Sequence, residues 1–206
     1  MHPGTALLLT ALLSAGLLPA AAIASATPGK ASRSTDARAA LLEHAPEHCG
    51  TSPEAKRLAE MILAHPGQQR VTLRCNPLLS RIAADKAREM ARTGRVAHYG
   101  GMVSPNMRLR RAGYVLPGYY PRGVANQVEA VAGGYATAEE ALAAFLGSQT
   151  HREHLLGEHP FYASQDEIGV GYYRDPDSEH VEYWAVYVAK RRPETGRADA
   201  GGEPAR

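Results

Sequence analysis

Charge of one sign, cysteine and long apolar runs are all scarce in this chain. Its 23 basic and 21 acidic side chains leave a formal net charge of +2, and no basic run is longer than residues 190–192. Nucleic-acid-binding domains usually have a strongly basic face, so we expect no nucleic-acid partner. With 206 residues, 44% of them hydrophobic and 21% charged, the chain has the size and composition of one globular domain.

Long apolar runs are confined to the N-terminus. Residues 1–26 contain no Asp, Glu, Lys or Arg, and the mostly apolar residues 6–18 are followed by the small residues Ala24, Ser25 and Ala26. This pattern is typical of a secretory signal peptide cleaved near Ala26, although only His2 stands in for the usual positive region. The alternative is an uncleaved anchor, but the run is shorter than the ~20 residues that a membrane span needs. We therefore expect a secreted or extracellular protein with no transmembrane segment in the mature chain.

The chain has two cysteines, Cys49 and Cys75. In an oxidising compartment an even number of cysteines predicts a disulfide. A bridge between them closes a loop of about 26 residues and should stabilise the fold by roughly 3 kcal/mol. We expect both cysteines to be structural.

Composition divides the chain into four parts. After the signal peptide (residues 1–26), the small and polar residues 27–40 predict a flexible lead. Residues 191–206 are rich in Gly, Pro and charge, which predicts a disordered tail because such a segment has little to bury. Residues 41–190 remain as the folded domain.

Within that domain the sequence predicts helices first and a β-hairpin last. The helices are predicted over residues 53–65, from the Asn76-Pro77 cap to Gly94, over residues 104–112, and from the Thr137–Glu140 capping box onward. Residues 168–173 and 181–189 are rich in β-branched and aromatic side chains, and the turn at residues 175–178 joins them as a hairpin. This order favours the α+β class over a parallel α/β sheet.

Nine histidines invite metal hypotheses. The string His44-Ala45-Pro46-Glu47-His48 matches the H-x-x-E-H pattern of inverted zinc peptidases, but Pro46 interrupts the helix that the motif requires. We interpret this string as a chance match. His151 and His154 are three residues apart, a spacing that a helix aligns but that also occurs often on helix surfaces.

Several short motifs follow one another in a characteristic order and at characteristic intervals. They are Ala97-His98-Tyr99, Arg108 to Tyr114, Glu129 to Tyr135 and Ser148 to Arg152, accompanied by Asn76-Pro77-Leu78, residues 168–171 and Tyr183-Trp184. Over residues 55–190 the chain resembles the bacterial CAP superfamily of cysteine-rich secretory, antigen 5 and pathogenesis-related 1 proteins, also called SCP domains. The resemblance implies an α-β-α sandwich, with a small antiparallel sheet between helical layers and a cleft on its surface.

The resemblance also implies which residues form the cleft. His98 and His151 are its two histidines, Glu129 is its first acid, and Ser148 occupies the position of the second acid. Two neutral imidazoles are two of the four ligands that zinc takes, so zinc is the candidate cofactor. Glu129 is the candidate catalytic group, orienting an imidazole or acting as a base on bound water. The alternative is a hydrogen-bond network of His98, His151 and Glu129 without metal or catalysis.

The function implied by the resemblance is that of a secreted ligand-binding module, monomeric, whose ligand is a lipid, a cell-wall component or a protein. A zinc-dependent hydrolase or peptidase using His98 and His151 is the alternative. Tyr114, Tyr119 and Tyr120 cluster in one loop, where they either pack together or rim a site for a carbohydrate or lipid. Trp184 is predicted to be a core residue.

Overall fold

The computed structural model describes residues 49–193. The predicted signal peptide and lead, the string at residues 44–48 and most of the predicted tail lie outside this range. The helices are α1 (Pro53–Ala64), α2 (Pro77–Thr93), α3 (Pro105–Arg111), α4 (Ala138–Gly147), α5 (Gln149–Leu156) and α6 (Pro160–Ala163). The strands are β1 (Arg74–Cys75), β2 (Glu129–Gly133), β3 (Glu167–Arg174) and β4 (Glu182–Ala189).

The four strands form one mixed sheet in the order β1-β3-β4-β2. β4 pairs antiparallel with both β2 and β3, and β3 and β4 are the predicted hairpin. The α+β class is therefore confirmed. The small antiparallel sheet that we expected differs from the observed sheet in one respect, because the two residues of β1 run parallel to β3. A strand of two residues has no alternation that a sequence pattern could reveal.

Both faces of β4 are apolar, and helices cover both faces of the sheet there. The β4 residues Tyr183, Ala185, Tyr187 and Ala189 pack in one core cluster with α2 and α3, while Trp184, Val186 and Val188 pack in a second cluster with α1 and α4. Successive side chains of a strand point to opposite faces, and here both sets are buried. Trp184 is a core residue, as predicted, and its indole N–H donates to the carbonyl oxygen of Tyr135 at 2.8 Å.

Two glycines of β3 allow α2 to lie directly on the sheet. A Cβ atom at Gly169 would collide with the backbone at Ser80, and one at Gly171 would collide with the backbone at Ala83. The alternation of Gly169 and Gly171 about Val170 therefore serves close backbone packing rather than a turn.

Local capping sets the ends of α2. The Asn76 side chain accepts hydrogen bonds from the N–H groups of Leu78 (2.9 Å) and Leu79 (3.1 Å). Gly94, at φ 66°, ends the helix in the left-handed conformation that glycine favours. Both signals were predicted from the sequence, because a cap depends only on neighbouring residues.

Both ends of the described chain are tied to the rest of the fold, the first to the sheet and the last to the loop after α3. Cys49 and Cys75 form the predicted disulfide, with their Cα atoms 4.6 Å apart. At the other end the Arg192 N–H donates to the Val115 carbonyl oxygen at 2.8 Å, two residues beyond the predicted domain end. No helix within residues 49–193 is long and apolar enough to cross a membrane.

Candidate functional site

The candidate site begins with a buried carboxylate on the edge strand of the sheet. Glu129 is the first residue of β2, directly opposite Tyr187 on β4, and is 3% exposed. The Tyr187 hydroxyl donates to Glu129 Oε2. Burial, and then the negative charge of Glu129, raise the pKa of Tyr187 well above its ordinary value, so this hydroxyl keeps its proton.

His98 connects this buried pair to the surface. It lies in the loop after α2, and its Nδ1 atom is 2.9 Å from Glu129 Oε1. Because a carboxylate accepts hydrogen bonds and does not donate them, Nδ1 donates to Glu129, which leaves Nε2 without a hydrogen-bond partner within residues 49–193. The His98 side chain is 33% exposed whereas that of Glu129 is fully buried. Glu129 thus orients His98 from behind.

Asn126 fixes the same arrangement from the loop before β2. Its side-chain oxygen accepts from the Glu129 N–H at 2.9 Å, and its Nδ2 donates to the Glu129 carbonyl oxygen at 3.0 Å. The same Nδ2 lies 3.1 Å from His98 Nδ1. Sequence reasoning missed both Asn126 and Tyr187. The continuous apolar and aromatic run of β4 could have placed Tyr187 inside the fold, but no local pattern connects Asn126 to the site.

His151 approaches His98 from the opposite helical layer. It lies on α5, its ring centroid is 6.5 Å from that of His98, and its ring edge contacts Phe145 at 5.4 Å between centroids. Burial, and then the charge of His98, lower the pKa of His151, so it is neutral at neutral pH. Its ring has no hydrogen-bond partner among residues 49–193. The fold therefore brings together the two histidines that the resemblance named.

Ser148 and His154 have other surroundings. Ser148 lies at the junction of α4 and α5, half-buried, and its side chain makes no capping hydrogen bond. His154 points into the core, with Nε2 3.4 Å from the Val188 carbonyl oxygen. Burial, and then the charge of Arg70, lower the pKa of His154 to about 3. The spacing of His151 and His154 therefore produces one cleft residue and one core residue, not a pair of ligands.

The donor set does not fit a resident zinc ion. Within residues 49–193 no group of three or more His, Cys, Asp or Glu side chains is arranged to hold a metal. Glu129 lies behind His98 and is occupied by His98 and Tyr187. The cleft therefore offers two imidazole nitrogens, fewer than the three protein ligands of an ordinary catalytic zinc site.

A cavity of about 380 Å³ lies beside His98, whose neighbours Ala97 and Tyr99 line it together with Lys86, Glu89, Thr93 and Arg95. Glu89 is held between Arg108, at 2.6 Å, and the buried Lys86, at 3.2 Å. Burial alone would raise the pKa of Glu89, but these two cations lower it, so Glu89 stays ionised. Charged and polar side chains thus share the lining of this cavity with Met90 and Ala97.

The tyrosine loop divides in the structure. Tyr114 and Tyr120 are buried, whereas Tyr119 is 59% exposed. The Tyr120 hydroxyl accepts hydrogen bonds from Gln165 Nε2 at 3.1 Å and from the Lys190 N–H at 3.2 Å. Packing therefore accounts for Tyr114 and Tyr120, and Tyr119 alone of the three presents its ring to solvent.

Comparisons with known proteins bear on the fold. No family model matches the chain, and no curated protein matches it. Among solved structures the chain is similar to an outer surface protein from Borrelia burgdorferi, with 18% sequence identity and a TM-score of 0.50. The match covers 66% of this chain and 90% of that chain. At this identity the likeness shows a shared α+β fold and nothing more.

Proposed function

We propose that this chain is an exported CAP-like domain that binds a cell-wall component in the cavity beside His98. The motifs that carry the CAP resemblance contain His98, Glu129 and His151, and these residues meet in the structure. The disulfide between Cys49 and Cys75 suits an oxidising compartment outside the cytoplasm. The similar Borrelia structure is likewise that of an outer surface protein.

The observation that carries this proposal is the hydrogen-bonded series Tyr187–Glu129–His98, whose last member lies in the chain between two lining residues of the cavity, Ala97 and Tyr99. Tyr187 hydrogen-bonds Glu129, and Glu129 hydrogen-bonds His98, so the His98 ring has a fixed orientation before a ligand binds. Its Nε2 atom therefore needs no further ordering on binding. Preorganised polar groups of this kind strengthen binding because little conformational entropy is lost. The same oriented imidazole would also serve as a general base, but no nucleophile or oxyanion-binding group lies beside it in the geometry described above.

The cavity lining favours a polar, acidic glycan over a lipid chain. Arg95 is exposed and its guanidinium has no partner within residues 49–193, so it is free to bind a ligand carboxylate. Tyr99, which is 45% exposed, offers an aromatic face against which a sugar ring can pack. Cell-wall glycan carrying carboxylate groups combines both chemistries.

Titration calorimetry with soluble peptidoglycan fragments tests this proposal. Replacing Arg95 with Gln or Tyr99 with Ala should weaken binding about tenfold each, since each removes one direct contact. Tyr119→Ala is the matched control, because Tyr119 is an exposed tyrosine outside the cavity, and it should bind as the parent chain does. Equal weakening by all three variants, or no binding by the parent chain, would reject the proposal.

The same samples test the hydrolase alternative. Mass spectrometry of the fragments after incubation should show them intact, with or without added zinc. Cleavage that disappears with a chelator and in His98→Ala would establish the zinc-dependent enzyme instead.

A further inference from the structure

A second cavity, of about 440 Å³, lies between the C-terminal half of α3 and the end of the described chain. Arg110, Arg122 and Arg192 line it together with Met107, Val115 and Leu116, and no acidic side chain contributes to its lining. We call this group of three arginines the arginine pocket. It shares no lining residue with the cavity beside His98.

The positive charge of the arginine pocket is not neutralised within the described chain. Arg110 donates to the carbonyl oxygens of Pro121 and Tyr120, both at 3.0 Å, and these hold its guanidinium in place. The side chains of Arg122 and Arg192 make no hydrogen bond or ion pair within residues 49–193. Burial, and then the nearby charge of Arg122, lower the pKa of Arg110. An anion between these groups would replace repulsion with attraction.

Three exposed apolar side chains, which we call the apolar rim, lie in the loop that contributes most of the lining of this pocket. Val115 is 41% exposed, Tyr119 59% and Val124 73%, and all three belong to the loop between α3 and β2. Large exposed hydrophobics are few in the described chain, the others being Val71, Tyr99 and Met102, so half of them are concentrated in this loop. Cations beside exposed aliphatic and tyrosine side chains are the composition of surfaces that bind at a membrane interface.

We propose that the arginine pocket and its apolar rim dock onto a membrane surface that contains anionic phospholipid. The three guanidinium groups bind lipid phosphates, and Val115, Tyr119 and Val124 enter the boundary between headgroups and acyl chains. Such docking would hold the exported protein at the cell envelope. The proposal is independent of the ligand of the His98 cavity, since the two sites share no residue.

Vesicle co-sedimentation of the purified exported chain tests this docking. Vesicles of phosphatidylglycerol and phosphatidylcholine (1:1) should bind the chain, and pure phosphatidylcholine vesicles should not. A basic side chain near an anionic membrane contributes about fivefold in affinity, so the double variant Arg122→Gln/Arg192→Gln should bind about 25-fold more weakly. Both side chains lack protein partners within residues 49–193, so the double variant should keep the parent melting temperature.

Two further variants separate the contribution of the arginine charges from that of the apolar side chains. Arg92→Gln removes an exposed charge at the opposite end of α2 from the Asn76 cap, and should change binding less than twofold. Val124→Ser leaves the charge intact and should weaken binding, because it removes an apolar side chain from the interface.

Three results would overturn the proposal. The first is equal binding to phosphatidylcholine vesicles, and the second is an equal loss of binding in Arg92→Gln and in the double variant. The third is a chain that binds neither kind of vesicle but whose melting temperature is raised by inorganic phosphate, with the increase lost in the double variant at Arg122 and Arg192. In that last case the pocket takes a free phosphate rather than a membrane.

Discussion

Two histidines one helical turn apart show how strongly the surroundings decide the chemistry of a residue. His151 lies half-buried at the cleft, against the rings of His98 and Phe145. His154 is 4% exposed and packs against Tyr162. Burial lowers the pKa of both rings, and it does so far more for His154, whose pKa falls to about 3. His154 is therefore a neutral core residue at neutral pH.

The buried neutral state of His154 predicts a loss of stability in acid. An unfolded histidine titrates near pH 6.5, and the folded one near pH 3. Between these values the unfolded chain binds one more proton, so the free energy of unfolding should fall by roughly 1 kcal/mol for each pH unit lost, and stay constant above about pH 6.5. Urea unfolding of the parent chain and His154→Gln at pH 7, 6, 5 and 4 measures this slope.

His154→Gln should lose most of the slope and keep a smaller part of it, since the lowered pKa of His151 acts in the same direction. His180→Gln, in the turn before β4, should keep the parent slope. A parent chain equally stable at pH 7 and pH 5 would show that His154 is not held neutral in the core.

At the scale of elements, the contact of α2 with β3 organises the fold. Gly169 and Gly171 let the helix backbone lie against the strand, as no larger residue would. The contact places α2 across the sheet, so the loop that follows it delivers His98 to Glu129. Packing at Gly169 and Gly171 thus positions His98, although His98 lies on neither α2 nor β3.

Gly171→Ala should destabilise the protein by about 1–3 kcal/mol or more, because the added methyl group would collide with the Ala83 backbone and push α2 away from β3. Gly147→Ala is the matched control. It ends α4 with no atom near its would-be Cβ, and alanine there should be neutral or stabilise by roughly 0.5 kcal/mol. Thermal unfolding of both variants measures the difference, and equal melting temperatures would show that α2 is free to shift.

At the scale of the whole molecule, the disulfide and the sheet hold the described chain together from its first residue. Cys49 is bonded to Cys75 in β1, and the Cys49 carbonyl oxygen accepts from the Val170 N–H at 2.8 Å. α1, which starts just after Cys49, is thereby held against β3. This tie connects the helical layer of α1 and α4 to the centre of the sheet.

Removing this bridge should cost roughly 3 kcal/mol in the free energy of unfolding, because the 26-residue separation of the cysteines is no longer closed in the unfolded chain. Denaturant unfolding of Cys49→Ser/Cys75→Ser measures the loss. The parent chain should lose a similar amount in a reductant, to which the double variant should not respond. Labelling of both cysteines by a thiol reagent in the native, unreduced protein would contradict the bridge.

Local sequence determined most of the elements and their ends. Asn76, Gly94 and the Thr137–Glu140 capping box mark helix ends because capping involves residues within one turn of each other. The β-branched and aromatic residues of β4 predicted a hairpin strand that contains Trp184, and two cysteines in a chain expected to be exported predicted their bridge. The short strand β1 escaped prediction, since pairing with β3 rather than its own composition makes it a strand.

Only the tertiary structure decided the site. His98 and His151 are distant in sequence, and they meet because the loop after α2 brings His98 to Glu129 on the edge strand β2, which α5 contacts from the other helical layer. Which histidine of α5 faces the cleft, and that Asn126 and Tyr187 hold Glu129 in place, also depend on that packing. Side-chain periodicity specifies a face of one helix or strand, whereas the direction in which that face points is set by the elements packed around it.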